Sequence, residues 1–64
     1  MSEMVKEEIE HLKGHSDESI ADLYVRNKLS AFPSMIRSKA LSAIMEERRF
    51  TVNINIQHEI VRLS

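Results

Sequence analysis

The chain has no cysteine, one glycine and one proline among its 64 residues. Without cysteine, no disulfide and no thiolate metal site can staple it. A single glycine excludes the phosphate loop and the dinucleotide fingerprint, which need several glycines where backbone meets phosphate. One glycine and one proline also leave few forced turns and little loop. No apolar run approaches the ~20 residues that span a bilayer. The first residues, "MSEMVKEEIEHLK", are acidic and polar and match neither a signal nor a transit peptide. The default expectation is a cytoplasmic protein.

What remains is a chain of folded-domain composition, 42% hydrophobic and 30% charged, which argues against a disordered tail. Its length allows one domain, residues 1–64, and makes a single core marginal. The usual remedies are regular helix packing or oligomerisation.

Three helices are expected, over about 3–13, 17–29 and 34–48. Ser2 can cap the first, with Glu3, Glu7 and Glu8 near its positive end. Val5, Ile9 and Leu12 form its apolar stripe, and Lys13 and Gly14 suit its end. Ser16 caps the second, with Asp17 and Glu18 in its first turn. Ile20, Leu23 and Tyr24 line one side, widened by Ala21, Val25 and Leu29. "SAFPS" then interrupts: Pro33 donates no backbone hydrogen bond and pushes Phe32 out of the helical region. Pro33 also suits the first turn of the third helix, where Ile36, Ala40, Leu41, Ile44 and Met45 recur at helical spacing.

The segment "RRFTVNINIQ" changes period. Phe50, Val52, Ile54 and Ile56 alternate with Thr51, Asn53, Asn55 and Gln57, which predicts one β-strand over about 49–57. A hairpin turning within "VNIN" is the alternative, because Asn tolerates turn conformations. "HEIVRLS" suits either further strand or a short helix. No other run is strand-like, so the mate of a single strand must come from another chain. The fold class is mainly α, α+β at the margin, with the strand pairing between chains. Phe50, Val52, Ile54 and Ile56 are then the candidate interface, in a two-fold homodimer or with a target protein.

Charge is unevenly distributed. Residues 1–23 carry Glu3, Glu7, Glu8, Glu10, Asp17, Glu18 and Asp22 against Lys6 and Lys13. Residues 24–49 carry Arg26, Lys28, Arg37, Lys39, Arg48 and Arg49 against Glu46 and Glu47. The two parts are expected to attract each other within the fold or across a dimer; the sharper reading is an anionic partner for the middle.

Catalytic and metal-ligating patterns are weak. His11 and His15, with Glu7 one turn before His11, have the spacing of zinc ligands on one helix face, but Gly14 falls between them. Ser34, Ser38 and Ser42 recur every four residues with no histidine nearby in sequence and no glycine-rich turn to build an oxyanion hole. The expectation is a non-enzymatic protein with no cofactor, metal, membrane or small-molecule substrate. The four methionines Met1, Met4, Met35 and Met45 are adaptable side chains that suit a contact surface or fill a core.

The order helix, break, helix, strand over "SDESIADLYVRNKLSAFPSMIRSKALSAIMEERRFTV" resembles part of a winged helix-turn-helix. That resemblance covers about half the chain and is one of order alone. It implies DNA contact by Ser34, Arg37, Ser38 and Lys39 at the start of the third helix, with Arg48 and Arg49 on phosphate. The sequence departs from the pattern in a longer break without glycine, in no evident second wing strand and in a net charge of −1. The reading favoured by the sequence is a small regulatory protein that binds itself and another protein. A DNA-binding regulator is the alternative.

Overall fold

The computed structural model describes residues 2–55 and 59–63. Three helices, α1 (Glu3–Leu12), α2 (Asp17–Leu29) and α3 (Met35–Glu47), precede a hairpin of β1 (Phe50–Asn53) and β2 (Glu59–Arg62). The fold is mainly α, as the sequence pattern predicts, with a small two-stranded sheet.

Each helix starts on a serine. The Oγ atoms of Ser2, Ser16 and Ser34 accept hydrogen bonds from the N–H groups of Val5, Ser19 and Arg37 at 3.3, 3.2 and 3.1 Å. Each cap satisfies an N–H that has no partner inside the helix, a device worth about 1 kcal/mol. Pro33 therefore stands just before the cap of α3 and not in its first turn. At the far end, Arg49 takes the left-handed φ of 61°, where glycine is usual, and its N–H donates to the Glu46 carbonyl at 3.1 Å. That turn reverses the chain from α3 into β1.

α3 is the central element. It packs against α1, α2 and β1, and its Ala40, Leu41, Ile44 and Met45 are all buried. Val5 and Leu12 from α1 meet them, with Ile20, Ala21 and Val25 from α2 and Phe50 and Val52 from β1. Leu29, on the apolar side of α2 by spacing, is exposed: it is the last helical residue and extends past the core.

The strand differs from expectation in length and in mate. β1 stops at Asn53, whose Oδ1 accepts the Asn55 N–H at 3.1 Å. The carboxamide thus stands in for a backbone acceptor and starts the turn that "VNIN" allowed. The chain returns as β2 in the register Phe50↔Arg62, Thr51↔Val61, Val52↔Ile60 and Asn53↔Glu59. The strand's first partner is therefore in its own chain. Ile54 and Asn55 of the expected strand lie in the turn, and Ile56 and Gln57 lie outside the described residues.

Candidate functional site

The residues singled out by sequence fall into three groups. The apolar set divides at the core surface. Phe50 and Val52 are 2% and 9% exposed and face the protein's own core. Ile54 is half-buried against it, and Ile56 lies outside the described residues. Phe50 and Val52 of the alternating set are covered by α2 and α3.

The cationic set is largely engaged by the fold. Arg37 Nε donates to Glu8 Oε2 at 2.9 Å and joins α3 to α1. Arg48 donates to the carbonyls of Lys13 (2.7 Å) and His15 (2.8 Å) and to Asp17 Oδ1 (3.0 Å). One guanidinium thereby fastens the end of α3 to the α1–α2 link. Asp17 Oδ2 also meets Arg62 of β2 at 2.6 Å, and the Arg62 guanidinium lies over the Phe50 ring, 5.4 Å from its centroid. Hydrogen bonds from Arg62 and Arg48 hold the Asp17 carboxyl below the usual carboxylate range. The acidic first third and basic middle thus pair across the fold. In the sequence Asp17 reads only as a first-turn acid; no local signal names its partners, which lie 31 and 45 positions away.

Ser34 is spent as a cap, Ser38 is half-buried and Lys39 is exposed. Among the described residues, Lys39 has no ion pair. Past the end of α1, Gly14 leaves His15 off the helix that carries His11. No three His, Asp or Glu side chains converge among the described residues. A surface depression of about 550 Å³ between α1 and α3 is lined by Ile9, Glu10, Lys13, Ile44, Glu47 and Arg48. Its two cations are already engaged, Lys13 by Glu10 at 2.7 Å and Arg48 as above.

Among the described residues, two surfaces are left unfilled. The first is the outer edge of β2. Leu63 N–H donates to the Arg49 carbonyl at 2.8 Å. Antiparallel alternation then makes Thr51/Val61 and Asn53/Glu59 the hydrogen-bonded pairs and turns the backbone groups of Ile60 and Arg62 toward the open side. Val61 and Leu63 are exposed beside them. The opposite edge of the sheet is different, because the residues with outward backbone groups there, Phe50 and Val52, are buried whole.

The second is the α2–α3 joint. Phe32 is 91% exposed, Leu29 68% and Met35 70%. Their backbone is nonetheless tied. Asn27 Oδ1 accepts the Ser34 N–H at 2.9 Å, and its Nδ2 donates to the Ser34 carbonyl at 3.1 Å. Ser30 Oγ accepts the Phe32 N–H at 3.2 Å. Pro33 signals that Phe32 leaves the helix, but no local pattern signals that its ring stands outside the core.

No helix among the described residues is long and apolar enough to cross a membrane. No family model matches the chain, and no curated protein or solved structure matches it.

Proposed function

We propose that this chain is a small non-enzymatic regulatory protein of the cytoplasm that acts by binding protein, and that it does so as a homodimer through its C-terminal hairpin. The observation that carries the reading is the open edge of β2, exposed at Val61 and Leu63 while the other edge is buried. An unpaired edge is a template for a further strand. A two-fold axis perpendicular to the sheet keeps both helical layers on one side and requires opposed residues of equal parity. The register that uses the outward backbone groups of Ile60 and Arg62 sets Ile60 of one copy against Arg62 of the other. Val61 then lies opposite its own copy in a non-hydrogen-bonded pair, with Cα atoms about 4.5 Å apart. The joined four-stranded sheet also enlarges a core that is small for an isolated domain.

Because the chain has no native cysteine, the test is direct. Val61→Cys should form a disulfide-linked dimer under mild oxidation, since that separation suits the bond. Thr51→Cys, on the same face but on the inner strand, should cross-link far less. A Val61→Cys protein that stays reduced and sediments as a monomer would refute the edge pairing.

A second reading, a DNA-binding regulator of winged helix-turn-helix type, draws support from one observation: the hairpin supplies a second strand where a wing needs one. Against it, Arg37 and Arg48 are engaged within the fold, which leaves few cations for phosphate. It predicts salt-sensitive binding to a mixed-sequence duplex that Lys39→Ala weakens. No shift of the duplex at low salt would exclude it.

A further inference from the structure

The α2–α3 joint places apolar side chains in water on a backbone held in shape by side-chain hydrogen bonds. Leu29, Phe32 and Met35 together present on the order of 400 Å² of mostly apolar surface, as much as the largest patch on many monomers. Side-chain hydrogen bonds hold that backbone at both Phe32 and Ser34. Asn27 bridges both polar backbone groups of Ser34, Ser34 caps α3, and Pro33 fixes its own φ between them. A protruding aromatic on a preset loop is the form of an interface anchor, because little ordering cost remains on binding.

Charge says what covers it. Between Asp22 and Glu46 the sequence has no carboxylate and four cations, Arg26, Lys28, Arg37 and Lys39. Arg26 is paired with Asp22 at 2.7 Å and Arg37 with Glu8 at 2.9 Å. Lys28, beside Leu29, and Lys39, one turn after Met35, have no ion pair among the described residues; Lys28 leans over the Tyr24 ring at 5.5 Å. Two available lysines are few for a polyanion. Recruitment to an anionic membrane uses clusters of about 4–8 Lys and Arg, and tight duplex binding about 6–10 phosphate contacts. Two lysines are enough to match a rim of carboxylates around one pocket. A second copy docked joint to joint would bring like charges together.

Resting on the protein-binding reading above, we infer that this joint is a binding knob: Phe32, flanked by Leu29 and Met35, inserts into an apolar pocket rimmed by carboxylates on a different protein. Lys28 and Lys39 meet the rim. The knob is smaller than the ~800 Å² that each partner buries in a standard interface, so it anchors a contact that spreads onto the neighbouring faces of α2 and α3.

The experiment uses the full chain in the cells that make it, with p-benzoylphenylalanine placed singly by Phe32→p-benzoylphenylalanine, Val61→p-benzoylphenylalanine and, as control, Glu7→p-benzoylphenylalanine. Photo-adducts are mapped by mass spectrometry. The protein captured is then purified and titrated against wild type, Phe32→Ser and Lys28→Glu/Lys39→Glu. The expected result is an adduct at position 32, absent at position 7, on a partner segment containing Asp or Glu. Phe32→Ser should weaken binding by about 30-fold or more, the loss of a hot spot. The double charge reversal should weaken it about tenfold, by an amount that shrinks with salt. Phe32→Ser should melt within a few degrees of wild type, because the side chain it removes lies in solvent.

An adduct at position 32 with this chain itself, with nucleic acid or with lipid overturns the inference. So does an affinity indifferent to Phe32→Ser, or one indifferent to the charge reversal. A protein adduct at position 61 without one at position 32 overturns the knob and leaves the protein-binding reading standing. Absence of a protein adduct at both positions overturns both.

Discussion

Two phenylalanines mark the two ends of α3, and their surroundings are opposite. Phe50, just after the helix, is 2% exposed and covered by the Arg62 guanidinium. Phe32, just before it, is 91% exposed. At the Phe50 end the polar groups tie separate elements together: Arg48 reaches two carbonyls and Asp17, and Asp17 reaches Arg62. At the Phe32 end the polar groups hold the loop open, with Asn27 and Ser30 bonded to its backbone. The same hydrogen-bonding chemistry thus closes one end of the domain and shapes the other for display. The difference separates residues committed to folding from residues available to a partner.

The strongest way to break that comparison is to truncate both rings. Phe50→Ala empties space in the core that α2, α3 and β1 share and should cost about 3–5 kcal/mol. A single core in a chain this short rarely supplies more than about 3–5 kcal/mol, so this variant should be largely unfolded by circular dichroism at 25 °C. Phe32→Ala should change the urea midpoint by no more than about 0.5 kcal/mol equivalent. Comparable losses from both would mean that Phe32 packs in solution, and the distinction between the ends would fall.

The middle-sized effect concerns the two engaged arginines. Arg48→Ala leaves the Lys13 and His15 carbonyls without their donor and releases the end of α3 from the α1–α2 link. With Arg48 partly solvated, about 1–2 kcal/mol is expected. Arg37→Ala removes a single, more exposed pair with Glu8 and should cost about 0.5 kcal/mol. Urea denaturation of the two variants orders them. A larger loss from Arg37→Ala would place the stabilising charge cluster at the wrong end.

How far the sequence foretold these roles depends on the range of the interaction. The helices were legible because their causes are local: a serine cap, an apolar stripe of period 3.6 and a breaker in "SAFPS". The strand was legible as a strand but not as a hairpin. Alternation through Phe50, Val52, Ile54 and Ile56 continues across the turn, and period two alone does not show where a chain reverses. The only local sign was the pair Asn53 and Asn55, without the Asn-Gly that usually marks such a turn. Charge asymmetry was legible in bulk, yet Glu8–Arg37 and Asp17–Arg48 join residues 29 and 31 positions apart, and only tertiary packing selects them. Arg37 and Arg48 therefore read from sequence as candidate phosphate contacts while the fold uses both. Phe32 illustrates the converse: Pro33 signals that it leaves the helix, but its exposure follows from how α2 and α3 meet.

The smallest effect tests how the closed end is tied. Asp17 is ionised more readily in the folded chain than in the unfolded one, because Arg62 first, and Arg48 second, donate to its carboxylate. The unfolded state therefore takes up protons first as pH falls, so this contribution is complete above the ordinary Asp value of about 4 and is lost as pH drops through the lower folded value. Asp17→Asn should melt below wild type at pH 7, and the two curves should converge toward pH 2. The convergence should be partial in its structural effect, since Arg48 keeps its two carbonyl acceptors at any pH while Arg62 keeps only its place over Phe50. The hairpin, and not the α1–α2 link, should be what loosens. Amide exchange reads that directly: the Leu63 N–H, bonded to the Arg49 carbonyl at the base of β2, should exchange faster in Asp17→Asn, while the Val25 amide in the middle of α2 keeps its rate. Equal acceleration at both would mean that Asp17 supports the domain as a whole and does not specifically moor its outer strand.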